Sequence, residues 1–186
     1  MKKIITALAA LLAAFMLFSC GSKPTSAAQQ AEKEGVPAWV YEGRKDSNGI
    51  YAVGAGKLEN DITSLKMAKA QARLELAKEV EVTVKGVTQT LVDDQGATGD
   101  RTYLAALTEN ALETTNAILN GSEQVDYFKS NDGTVYVLMI LPKKTFVTEL
   151  ATKANQARTS FSPTSSAEYT EEKMAEAYEK YFSTNK

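Results

Sequence analysis

VDYFKSNDGTVYVLMIL, residues 125–141, decides how this chain folds. Asn131-Asp132-Gly133 is a tight-turn signal between two runs rich in β-branched and aromatic residues. The stretch therefore predicts an antiparallel hairpin, Val125–Lys129 and Thr134–Leu141. The second arm is apolar at almost every position, on both of the faces that a strand presents alternately. Such a strand belongs at the centre of a sheet, so Val137 is expected in the core.

Downstream, Pro142 can open a helix because its missing N–H falls where a helix leaves donors unused, and Phe146, Leu150 and Ala154 give that helix an apolar face. Residues 158–166, RTSFSPTSS, interrupt the apolar periodicity and predict a linker. Ser165 and Glu168 resemble a capping box for a separable last helix, 167–183, with a narrow stripe of Met174, Tyr178 and Tyr181. That stripe has two readings: contact with a partner, or packing back onto its own domain.

Upstream of the hairpin, Asp100 is placed to cap a helix over 101–118, ended by Gly121, and residues 93–100 (DDQGATGD) form a loop. Its aspartates lack the spacing of a calcium loop, which predicts no metal there. Further back, Val80-Glu81-Val82-Thr83-Val84 alternates with period two, and Val87–Val92 extends it, which predicts a strand. Residues 62–79 repeat apolar side chains at 62, 65, 68, 72 and 76, which predicts a helix. Met67, Ala70, Leu74 and Ala77 widen its apolar face, so cover on more than one side is expected. Arg73 on this helix has two readings, a buried or bridging arginine and, favoured here, a surface guanidinium paired with Glu75, Glu79 or a carboxylate across the sheet.

Before that helix, Ser47-Asn48-Gly49 turns into a strand, Ile50–Gly56. Gly54-x-Gly56 lacks the third glycine of a nucleotide fingerprint, and Asn60 and Asp61 oppose a phosphate. Close strand–helix packing is the better account of the two glycines. The folded part, 36–157, begins at Val36-Pro37-Ala38-Trp39-Val40, with Trp39, the single tryptophan, expected to be largely buried. The whole reads as α+β, helices packed on a small antiparallel sheet.

Residues 20–35 are small and polar and predict a flexible tether. Ahead of them, Lys2-Lys3 precedes an uncharged apolar run, Ile4–Phe18. As a helix it spans about 22 Å, short of a hydrocarbon core of about 30 Å, so residues 1–19 read as a removable export signal. Leu17-Phe18-Ser19-Cys20 resembles the lipobox of bacterial lipoproteins, with Phe18 bulkier than usual at its position. That resemblance implies diacylglycerol on the Cys20 sulfur, cleavage before Cys20 and acylation of the new amino group. Two or three acyl chains hold a protein at a bilayer, whereas one binds marginally. Gly21 and Ser22 are not aspartates, and the lipoprotein sorting rule then implies the outer membrane, at its periplasmic face or at the cell surface.

Composition removes several functions. The chain has no histidine and one cysteine, so His-dependent triads, the usual zinc sites and an internal disulfide are excluded. A net charge of −2 with no long Lys/Arg run argues against nucleic acid. We expect no enzyme and no cofactor. The expected partners are the membrane, through the anchor, and envelope proteins or further copies of the chain.

Pro37-x-Trp39-Val40, Tyr51-Ala52-Val53-Gly54-Ala55-Gly56 and Ala72-Arg73-x-x-Leu76-Ala77 together resemble the 20-kDa surface lipoprotein family of the Helicobacter type, over Val36 to Leu150. That family includes lipoproteins of the flagellar base and outer-membrane disks. The resemblance implies a compact unit at the outer membrane that works through protein contacts, with no catalytic residues to carry over. A module that binds a small apolar ligand or lipid is the alternative.

Overall fold

The computed structural model describes residues 26–94, 108, 115–116, 118–161 and 170–184, with residue 161 described by its backbone alone. Among the described residues the fold is α+β: a three-stranded antiparallel sheet and five helices of defined bounds. In order these are α1 (Ala27–Glu34), α2 (Trp39–Glu42), β1 (Gly49–Gly56), α3 (Asp61–Asp94), a 3-10 turn (Leu119–Gly121), β2 (Glu123–Lys129), β3 (Val135–Pro142), α4 (Lys143–Phe161) and α5 (Glu171–Thr184).

The hairpin forms as its sequence predicts. Gly133 at the turn has φ 85°, a conformation that glycine adopts without steric cost. Strand β3 lies between β1 and β2, antiparallel to both. Val135, Val137, Met139 and Leu141 point into the main core, while Leu138 and Ile140 are buried on the opposite face. Helix α2 lies against β3, and none of its side chains belongs to the main core. A bulge at Val125 bends β2, the exposed edge strand.

Gly54 and Gly56 let α3 approach the backbone of β1. A Cβ on Gly54 would stand 2.2 Å from the Ala68 carbonyl oxygen and 2.2 Å from the Ala72 nitrogen. One on Gly56 would stand 2.4 Å from the Ser64 oxygen. Ser64, Ala68 and Ala72, all buried, form the matching small-residue face of the helix. The glycines therefore serve close packing, as expected.

The strand predicted over 80–92 does not exist. Helix α3 runs unbroken through it, for 34 residues or about 51 Å. Val80, Val84, Val87 and Leu91 are buried at helical spacing, and Val82, the middle of the apparent alternation, is 57% exposed. Tertiary burial outweighs the β preference of the valines. The buried row 64, 68, 72, 76, 80, 84 advances in fours, and each step of four residues turns it about 40° around the axis. After five steps it has wound through about 200°, so no single stripe marks the helix in the sequence.

Three other expectations are corrected. Residues 27–34 of the expected tether are helical: Ser26 and Gln29 close a reciprocal capping box, and Gly35 ends the helix at φ 67°. Ala31 is buried there. The expected linker at 158–166 starts too early, because α4 continues to Phe161. Trp39 is half-buried, since α2 is a single turn outside the main core. The predicted helix over 101–118 falls mostly outside the described residues; Thr108, Thr115, Asn116 and Ile118, which are described, are helical.

Candidate functional site

Cys20 lies outside the described residues, as do Ser165 and Glu168; Thr170 caps α5 instead, accepting from the Lys173 N–H at 3.3 Å. The proposed contact stripe is placed differently from the partner reading. Met174 and Tyr178 are buried in the chain's own core, and Tyr181 packs against it. The Tyr178 ring stands 5.4 Å from Phe146 and 4.6 Å from Phe182, with the Lys143 ammonium 5.5 Å over its face. Tyr181 sits directly over Gly86, where a Cβ would come within 2.1 Å of the ring. Ion pairs from Lys143 to Glu179 and from Lys180 to Asp94 flank the contact. Helix α5 is thus docked on its own domain, because its aromatic stripe meets a complementary glycine gap in α3. A glycine in the interior of a long helix was the sequence signal for that gap.

Two polar clusters occupy loop ends. The Asp46 carboxylate accepts from Arg44 Nε at 2.9 Å, from the Asn48 N–H at 2.9 Å and from the Tyr51 hydroxyl at 2.8 Å. Burial opposes its ionisation, but these three donors outweigh burial and hold its pKa below the ordinary carboxylate value. Asp132 accepts from the Ser130 hydroxyl, the Thr134 N–H and Lys57, which hold it far below that value. Carboxylates so fully supplied with donors are poor bases, and each serves to pin its loop.

Arg73 reaches neither Glu75 nor Glu79: its Nη2 donates to the Leu119 carbonyl at 3.2 Å, bridging α3 to the 3-10 turn. Among the described residues no three His, Cys, Asp or Glu side chains group to hold a metal, and no helix is long and apolar enough to cross a membrane. Two depressions, at Asn60–Thr63 and along Thr152–Ser160 on α4, are open to solvent.

What remains is surface. On the outward side of α3, Ile62, Met67 and Leu74 are 70, 48 and 55% exposed. The second apolar set of this helix is therefore left uncovered at Met67, Ala70 and Leu74, where cover was expected. On the sheet edge, Val125 and Tyr127 are exposed.

The sequence profile of the LPP20 lipoprotein family matches residues 37–141. The chain belongs to the LPP20 lipoprotein family. No curated protein matches it. The LPP20 match runs from α2 to Leu141, so it contains α3 and the sheet up to the last residue of β3 and leaves α1, α4 and α5 outside. The glycine contact and the outward face of α3 both fall within the LPP20 unit. Membership places the chain among lipoproteins, at a membrane of the cell envelope.

Proposed function

We propose that this chain is a non-enzymatic lipoprotein, anchored through acylated Cys20 in the outer membrane, whose folded domain works by binding other envelope proteins. The observation that carries the reading is the coincidence of family and residue. A chain of the LPP20 lipoprotein family has its single cysteine at the last position of a lipobox-like Leu17-Phe18-Ser19-Cys20. The interaction role draws support from the site chemistry, in which the carboxylates of the two loop clusters are fully engaged while apolar side chains stand exposed on α3 and β2. The resemblance to flagellar-base lipoproteins makes that structure the first place to look for neighbours.

Cys20→Ala should abolish incorporation of a labelled fatty acid and move the protein out of the membrane fraction. Unchanged labelling and retention in that variant would sink the anchor. Separation of inner from outer membranes tests the destination.

A further inference from the structure

The outward face of α3 has a pattern that its inward face does not need. Met67, Ala70, Leu74 and Ala77 are spaced three, four and three apart, the seam of a two-helix coiled coil. Met67, Ala70 and Leu74 are exposed and Ala77 is half-buried. The same spacing continues through Glu81 into Val84, Thr88 and Leu91, which the chain buries itself. This side of the helix is therefore built for packing along its length, and only its first half stands open.

The positions flanking the open seam are Lys66 and Arg73 on one side and Gln71 and Lys78 on the other. Lys69 lies just beyond. At 100° per residue, the outward half of α3 from Ile62 to Lys78 contains three cations, Lys66, Arg73 and Lys78, and no carboxylate. Glu75, the one acid of this segment, projects from the other half and reaches Lys78 at 2.9 Å, while Asp61, just before it, meets Lys129. Arg73 keeps its bond to the Leu119 carbonyl. In a chain of net charge −2, this is a local excess of positive charge beside an apolar row.

We propose that this face receives an acidic amphipathic helix of a partner protein, its apolar side on Met67, Ala70, Leu74 and Ala77 and its carboxylates toward Lys66, Arg73 and Lys78. A second copy of the same face would set cation against cation. A bilayer is the poorer occupant for two reasons. Alternating large and small side chains admit a neighbouring helix backbone, whereas lipid insertion favours bulk at every apolar position. The face also points away from the sheet, while α2, on the chain's path from Cys20, touches β3 without joining the core that α3 covers. The inference deepens the interaction role proposed above and rests on it.

Photoreactive residues placed singly at Leu74, Tyr127 and Thr152 of the full chain, in the cells that make it, test the proposal. Leu74 should yield an adduct whose partner peptide carries an apolar seam flanked by Asp or Glu. The double change Lys66→Glu, Lys78→Glu should reduce that adduct about ten-fold without altering the melting temperature. Lys66→Gln, Lys78→Gln provides the milder version should the reversal disturb folding. In solution, a designed helix about three heptads long with a Leu/Ala seam and Glu flanks should bind the purified chain, and its Lys-flanked twin should not. Adducts at Leu74 only to lipid or to a second copy, an adduct indifferent to charge reversal, or equal binding of both peptides overturns it. Adducts at Tyr127 or Thr152 with none at Leu74 leave the interaction role standing and remove this surface; no adduct from any position removes both.

Discussion

Helix α3 meets its neighbours through glycine twice, and the two contacts differ in what stands opposite the missing side chain. At Gly54 and Gly56 it is backbone, the carbonyls and nitrogens of Ser64, Ala68 and Ala72 within the helix itself. At Gly86 it is the ring of Tyr181, at the end of a side chain that can rotate. The first contact joins two elements whose backbones are fixed by their own hydrogen bonds and cannot yield. The second can yield by a change of rotamer. Strand-to-helix packing thus sets the geometry of the domain, and helix-to-helix packing adds a removable layer of stability.

The largest effect should come from breaking the rigid contact. Gly54→Val puts branched carbon into space already held by the backbone of α3, and no cooperative thermal transition is expected by circular dichroism. A normal melt would show that β1 and α3 can separate. Removing residues 163–186 should come next. It strips Met174 and Tyr178 from the core, and the melting temperature should fall by at least about 10 °C with new binding of an apolar dye. A truncated domain that melts like the whole would restore the reading of α5 as a free partner element.

Gly86→Ala should be milder. The helix gains about 1 kcal/mol in propensity, which offsets much of the cost of moving the Tyr181 ring. The melting temperature should stay within about 4 °C, while amide exchange in α5 quickens. Adding Tyr181→Ala to Gly86→Ala should recover the propensity gain relative to Tyr181→Ala alone.

The smallest effect concerns pH. Burial, with Glu179 beside it, raises the Tyr178 phenol above its ordinary pKa of about 10. A group whose folded pKa is raised contributes stability that is complete below the unfolded value and lost as pH climbs beyond it. Stability should therefore decline above about pH 10, and Tyr178→Phe should flatten that decline in melting curves collected across the alkaline range. An equal decline in the variant would assign it to other tyrosines, Tyr51 first, whose pKa burial also raises.

Which parts of the molecule were legible follows from how local their causes are. The hairpin, the central place of β3 and the glycine approach of β1 rest on turn residues, a two-faced apolar run and two missing side chains, all visible in the chain. The second half of α3 was not legible because Val80, Val82 and Val84 satisfy a period of two as well as burial at 80, 84, 87 and 91. Only the surrounding core decides between them. Helix α1 was hidden by polar composition, although Ser26-x-x-Gln29 before Gly35 holds both of its end signals. The docking of α5 could not be chosen over partner contact, since an aromatic stripe looks the same in either role until Gly86 is seen beneath Tyr181. The cationic seam of α3 was half legible: its apolar members stood out, and their exposure did not.

The register of β1 has a further consequence, for the order of assembly. Gly56 pairs with Val135 and Gly49 with Pro142, so the first strand waits for a neighbour made about eighty residues later. Helix α3 and the β2–β3 hairpin need only their own sequence neighbours. Closure of β1 onto β3 is then the pairing of highest contact order within the sheet, and should limit the rate at which the sheet forms. Until the chain has emerged past Pro142, β1 has α3 to lean on and its hydrogen-bonding edge bare. A delay there, in synthesis or export, exposes a strand without its mate.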